Sequence, residues 1–282
     1  MTLYIPPTDY IYPKEQDDHM IKRKITYRGG YDENYTYLET NLWFRFKRFL
    51  FQIAFNVIAL PIASLRFGLK VEGKKNIRKN KKILKQGFVS VSNHVLYWDY
   101  LVLQAAMFPY KAYTPAWEVN MSISMRHIYK LSGAIPIPKS NKAKLKFAES
   151  MNEAIKRKKW LHVYAEGSMW YHYVPIRPFK KGAFLFAYTN QIPVLPIVFT
   201  FRKPTGIYAW FKTKEPLVTV HIGELQYANY EMKKAYSVEE LKERCRQIMM
   251  QMAGIENEAH NQELMEKYTY NTGDEPILYK CL

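Results

Sequence analysis

The sequence predicts an α/β fold: a central, mostly buried mixed sheet flanked by helices, with a membrane-associated helical segment before it. Three observations carry this reading. Short apolar runs alternate with helix-period stretches between residues 87 and 222, the alternation from which layered α/β folds are built. Upstream lies a 17-residue run without a charge, residues 49–65, at the lower edge of bilayer-spanning length. Forty-two Lys and Arg oppose 25 Asp and Glu, for a formal charge of +17, and such a surface attracts anions. Apolar residues at 48% and charged residues at 24% exclude wholesale disorder.

Residues 1–40 read as an irregular arm. They hold seven tyrosines, three prolines and charges from Asp9 to Glu39, and lack the apolar core of a signal peptide. Such tyrosines fit either the body of the protein or a membrane interface, where amphipathic rings are favoured. Residues 41–69 form the membrane-associated helix. Pro61 lies inside it and is expected to kink or end it. Arg45, Lys47 and Arg48 precede the apolar run, and Arg66, Lys70, Lys74 and Lys75 follow it. Basic residues on both sides leave the positive-inside rule without a winner. A helix in the interface, or a re-entrant one, fits better than a clean span. Further basic runs at 70–85 and 139–159 suit an anionic cytoplasmic leaflet, at roughly 1 kcal/mol per basic residue close to it.

Residues 70–230 form one catalytic-sized domain. Strands are expected at 87–92, 133–137, 160–165, 193–201 and 216–222, with helices at 99–108, 140–158 and 181–190. Ser140 is placed to cap the second of these helices. Residues 231–282 hold a C-terminal helix and a tail. The helix is expected to start near Ser237, since Ser237-Val-Glu-Glu240 is a capping-box pattern. Cys245 lies on its apolar face, as an inert buried thiol. With Cys281 it makes only two cysteines, too few for a disulfide framework or a zinc site. No metal is expected.

Common phosphate-loop and nucleophile motifs are absent. What stands out is Asn93-His94-Val-Leu-Tyr-Trp-Asp99, at a strand-to-helix junction. A separation of five puts two side chains about 140° apart on an ideal helix. His94 and Asp99 meet only if His94 lies in the turn and Asp99 in the first helical turn. That arrangement aims a base, oriented by a carboxylate, at the crevice beyond the strand's C-terminal end. Without a partner Ser or Cys, the base would deprotonate a substrate hydroxyl; the bland alternative is a structural histidine. Other strand ends deliver further polar groups: Lys139, then Glu166-Gly167-Ser168, then Arg177-Pro-Phe-Lys180-Lys181-Gly182 opening a helix. Gly182 permits close backbone approach there, and helix N-terminal amides favour phosphate.

Four blocks, SNHVLYWD, GAIPIPK, AEGSMW and VLPIVF, stand in this order over residues 85–200. They resemble the lysophospholipid and glycerol-phosphate acyltransferase family, and most of all bacterial 1-acylglycerol-3-phosphate acyltransferases. The resemblance implies His94 as catalytic base, Asp99 as its charge partner, and Glu166 and Gly167 as substrate-positioning residues. Lys139 stands where the family has a phosphate-binding Arg, and Pro196 aligns with the family's proline. Ser168 and Met169 replace the family's Thr-Arg, so one phosphate ligand is missing. Arg177, the nearest downstream Arg, is expected either to supply that guanidinium or to pair with a nearby acid. Lys180 and Lys181 would join in holding the phosphate. The implied reaction moves a fatty acyl group from acyl-CoA or acyl carrier protein, as co-substrate, to a lysophosphatidate-like lipid. No further cofactor is needed. The implied setting is an anionic membrane surface on the cytoplasmic face of the cell membrane. A nucleic-acid binder would share the basic charge but leaves the ordered blocks unexplained, so no nucleic-acid partner is expected.

Overall fold

The computed structural model of the chain describes residues 3–20, 30–121, 125–211 and 215–271; the tail beyond these, with Cys281, lies outside them. Strands form where apolar and β-branched residues cluster between turn formers. In chain order they are β1 (Ile11–Tyr12), β2 (Lys70–Glu72), β3 (Phe88–Ser92), β4 (Ala112–Trp117), β5 (Ala134–Ile137), β6 (Trp160–Tyr164), β7 (Val194–Arg202), β8 (Leu217–Ile222) and β9 (Thr269–Tyr270). Strands β2 to β8 make one sheet, ordered β2-β8-β7-β3-β6-β4-β5. Its pairings are parallel except β7 with β8, which is antiparallel. The sheet is therefore mixed, as expected.

All five residues of β3 are buried, because both faces of a crossover-linked parallel sheet are covered. Phe88 joins the core on one face, with Val102 and Leu103 of the helix Asp99–Met107. Val89 and Val91 join the other. There they meet Met151 from the helix Asn141–Lys156, Phe184 from Gly182–Asn190 and Leu241 from Lys234–Ala253.

Strand β4 went unpredicted because Pro115 interrupts it. Proline lacks the N–H that a ladder needs. Here the Thr114 N–H bonds Gly133 on the β5 side, so the position of Pro115 faces β6. Pairing with β6 already ends at Tyr113↔Leu161, and no bond is forfeited. Strand β2, hidden in a charge run, gains its place by pairing with β8.

The helix Asn141–Lys156 begins as expected, with the Ser140 Oγ accepting from the Ala143 N–H at 3.2 Å. The last long helix departs from expectation. It spans Lys234–Ala253, and Ser237 is buried inside it with its N–H bonded to the Lys233 carbonyl at 3.0 Å. Lys234, Ala235 and Tyr236 tolerate helix geometry, so the helix runs back past the capping-box pattern. Its Cys245 is buried, and burial pushes the thiol up to about 12, which makes it inert.

The apolar segment is helical from Leu42 to Arg66, with a π-helical turn at Phe55–Ala59. Asn41 caps it by accepting from the Trp43 N–H at 2.8 Å. Pro61 does not end it: the wider π turn immediately before absorbs the ring that would otherwise clash with the preceding turn. These 25 residues are long and apolar enough to cross a membrane. Only 17% of the apolar window is buried, so this is not an ordinary core helix. Trp43, Val57, Ile62 and Leu65 stand exposed, while Gln52, Leu60 and Ala63 face inward.

The N-terminal arm rests on the body. Strand β1 pairs with β9, and Tyr12 is wholly buried against Trp170, Tyr173 and Tyr268.

Candidate active site

The site is built where β3 ends. Asn93 mimics a strand backbone: its Nδ2 donates to the Phe199 carbonyl at 3.0 Å and its Oδ1 accepts the Phe199 N–H at 2.8 Å. This ties the turn to β7. His94 follows in the turn, and Asp99 is the first residue of the next helix. His94 Nδ1 lies 2.7 Å from Asp99 Oδ2, which also accepts the Val95 N–H at 3.0 Å. A carboxylate there accepts the Nδ1 proton, which leaves Nε2 as the basic nitrogen. Asp99 is 1% exposed. Burial raises its carboxyl above the usual carboxylate range, while His94 and the backbone amides pull it back.

Below the imidazole runs a buried aromatic ladder on β6. His94 stacks on Tyr164, with centroids 4.0 Å apart. His162 sits two residues earlier, between Ser90 Oγ at 2.8 Å and Ser92 Oγ at 3.2 Å. Trp160 Nε1 donates to Ser90 Oγ at 2.6 Å. Burial, then the nearby His94, pulls His162 down to about 3. Burial likewise pulls His19, stacked on Trp117, down to about 4. Unfolded, such rings titrate near 6.5, so between that pH and these lowered values the unfolded chain binds more protons. Stability therefore falls as pH drops below about 6.5. The urea midpoint is expected to decline between pH 7 and pH 5; a flat midpoint would contradict these buried neutral rings.

Glu166 and Arg177 lie behind His94. Glu166 Oε2 accepts the His94 N–H at 3.2 Å and Arg177 Nη2 at 3.0 Å, while Oε1 accepts the Arg177 N–H at 3.0 Å. Arg177 Nη1 donates to the Gln16 carbonyl at 2.9 Å and Ser168 Oγ at 2.8 Å, and Nη2 also meets the Ser168 carbonyl. Its guanidinium lies over the Trp170 ring, 4.3 Å from the centroid. Arg177 and Ser168 are fully buried and Glu166 is nearly so. Of the two readings of Arg177, the arrangement is that of pairing with a nearby acid: its Nη atoms are taken by protein partners, its Nε has none, and it does not line the cavity over His94. Ser168 and Glu166 are likewise held by protein partners, and Glu166 accepts the His94 backbone N–H.

A cavity of about 910 Å³ opens over His94 and Asp99. Lys139, Lys144, Lys180, Gly167 and Gly182 border it, and Lys181 does not. Lys139 pairs with Glu118, and Lys180 with Asp17 at 2.5 Å. Lys144 makes no ion pair among the described residues. Gly167 has φ +89°, a left-handed conformation that favours glycine. At Gly182 the space is open, and a side chain would meet nothing within 4 Å. The rest of the wall is mostly apolar. It includes Tyr97 and Trp98, and Phe51, Phe55 and Ala59 from the exposed helix.

Residues 68–200 match the acyltransferase family model, just under half of the chain. Over these residues the chain is similar to the acyltransferase family. A curated relative, an uncharacterized acyltransferase of Schizosaccharomyces pombe, is 28% identical over 184 residues, covering 59% of this chain. The match spans about three fifths, 61%, of that relative's length. Among solved structures, the 1-acyl-sn-glycerophosphate acyltransferase PlsC of Thermotoga maritima aligns at 19% identity and a TM-score of 0.42, over 72% of this chain and 97% of its own. The matched region contains the His94–Asp99 pair, the Glu166–Arg177 brace and most of the cavity wall.

Three features of the site escape the sequence reading. In the sequence Lys144 is one member of a basic run, although Ser140 as helix cap places it in the first turn. Tyr164 follows His162 by two residues, so strand alternation puts both on one face; that signal was readable. The contribution of Phe51 and Phe55 was not, because it depends on how a distant helix folds back.

Proposed function

We propose that this acyltransferase moves a fatty acyl group from a CoA or acyl-carrier-protein thioester to the free hydroxyl of a lysophosphatidate-like lipid, at the cytoplasmic face of a membrane. The observation that carries this reading is the His94–Asp99 pair, 2.7 Å apart, at an apolar cavity walled in part by an exposed apolar helix. His94 Nε2 takes the proton of the acceptor hydroxyl. The oxygen attacks the thioester carbonyl and forms a tetrahedral intermediate. The C–S bond breaks, and the thiolate recovers the proton from the imidazolium. Asp99 holds the tautomer and stabilises the imidazolium. Lys139, Lys144 and Lys180 supply point charges for the acceptor phosphate; lysine lacks the bidentate fork of arginine. The apolar wall takes acyl chains, and the helix from Leu42 to Arg66 anchors the domain at the lipid.

The test is a product assay. Purified protein in phosphatidylcholine vesicles is given acyl-CoA or acyl carrier protein thioester with a panel of lyso-lipids, and products are read by mass spectrometry. Phosphatidate from lysophosphatidate is the expected product. Failure to acylate lysophosphatidate with either donor would overturn the reading.

A further inference from the structure

The apolar helix borders a second basin, away from His94. Lys111 and Lys159 immediately precede β4 and β6, and Ala112 pairs with Trp160. The two lysines therefore enter neighbouring parallel strands side by side, at the end of the sheet opposite the His94 turn. Arg45 and Arg48 reach the same basin from the helix Leu42–Ala54, and Arg157 from the end of Asn141–Lys156. The basin holds about 420 Å³.

Its charge is not balanced from within. The lining acid, Glu39, is held by Lys130 at 2.7 Å. Arg157 pairs with Glu153 at 2.7 Å. Arg48 lies over the Tyr113 ring, 4.0 Å from its centroid. Lys111, Lys159 and Arg45 have no ion pair among the described residues. Burial, then Arg48, holds Lys111 below the ordinary lysine range; burial, then Arg48, Arg45 and Arg157, does the same to Lys159. At the floor is Gln52, 1% exposed, with neither amide nitrogen nor oxygen hydrogen-bonded. Buried amides are costly to leave bare. Crowded cations and an orphaned donor together call for an oxygen-rich anion.

We propose that this basin is a second phosphate site, separate from the catalytic cavity, that binds a phosphomonoester through Lys111, Lys159, Arg45 and Arg48, with Gln52 as the uncharged donor. Lysines supply point charge and arginines directional donors for such a group. The basin adjoins the exposed apolar face carrying Trp43 and Phe46, so a lipid headgroup reaches it from the bilayer surface and a free phosphate ester from solution. The site does not depend on the reaction proposed above.

The experiment reads binding alone, so its failure is separable from failure of the acyl-transfer assay. Full-length protein is titrated with phosphatidylcholine vesicles containing phosphatidate, or phosphatidylserine at matched surface charge. Inorganic phosphate is titrated separately by calorimetry. Lys111→Gln/Lys159→Gln is expected to weaken binding to phosphatidate vesicles about 30-fold, as two interfacial cations imply. The same charge change at Lys81→Gln/Lys82→Gln, on a helix outside the basin, is expected to leave most of that binding. Gln52→Leu, which alters no charge, is expected to weaken phosphatidate binding and spare phosphatidylserine binding. Loss confined to vesicles assigns the site to a lipid headgroup, and loss of phosphate heat assigns it to a soluble ester. Equal losses on both anionic vesicles, or from both lysine pairs, with no phosphate heat, would overturn the proposal.

Discussion

In the His94→Ala protein, acyl transfer is expected to fall about 10³-fold in kcat, the scale a positioned general base supplies, with the folded structure retained. Folding survives because the side chain is partly exposed, 24%, and the backbone bonds that shape the turn do not involve the ring. The His94 N–H still reaches Glu166, and its carbonyl still accepts the Trp170 N–H at 2.9 Å. Asp99→Asn is the informative companion. An amide at 2.7 Å offers either a donor or an acceptor to Nδ1, so the wrong tautomer becomes accessible and Nε2 loses its role as base. The rate should fall while KM for the lipid stays near wild type, because neither change touches the apolar wall. The measurement is steady-state kinetics on vesicles, with circular dichroism and urea unfolding as the check on fold. A folded His94→Ala protein that turns over at the wild-type rate would remove the base from the mechanism.

The parts of this molecule legible in its sequence are those set by local rules. The His94–Asp99 contact needed only a strand end, a turn and a helix start within seven residues, and each had a local signal. The Ser140 cap was equally local. The sheet strands with continuous apolar runs were readable for the same reason. What failed were features decided by partners far along the chain. Strand β4 carries Pro115, and only its register against β6 shows that the missing N–H costs nothing. The arm offered two readings that composition could not separate; Tyr12 chose the body because Trp170, Tyr173 and Tyr268 form a buried aromatic nest for it. Arg177 was placed by its closeness to a helix opening, yet its guanidinium is taken by Glu166, Ser168 and the Gln16 carbonyl, the last 161 residues away. A single arginine looks alike in sequence whether it awaits a phosphate or braces a loop. Burial decides, and burial is a property of the fold.

Replacing Arg177 therefore tests stability more than binding. In Arg177→Met the Glu166 carboxylate keeps its burial and loses its countercharge, and breaking one side of a buried pair costs about 3–5 kcal/mol. The urea midpoint should drop by that measure. The pair is 3.0 Å apart with both side chains at or below 1% exposed, so little solvent screening softens the loss. Glu166→Gln should cost less, since an amide is cheaper to bury than an unpaired carboxylate. The double variant Glu166→Gln/Arg177→Met should recover part of the single Arg177→Met loss, the non-additivity expected of contacting residues. At a temperature where the variants remain folded, KM for a phosphorylated acceptor should stay near wild type, because Arg177 does not line the cavity over His94. A rise in that KM with an unchanged urea midpoint is the opposite pattern, and it would return the guanidinium to the substrate. The brace also links the arm to the chemistry. Arg177 holds the Gln16 carbonyl on one side and, through Glu166, the His94 backbone on the other. Loss of the brace should accordingly lower kcat as well as stability, and Arg177→Lys, which keeps the charge but not the fork, should recover stability only in part.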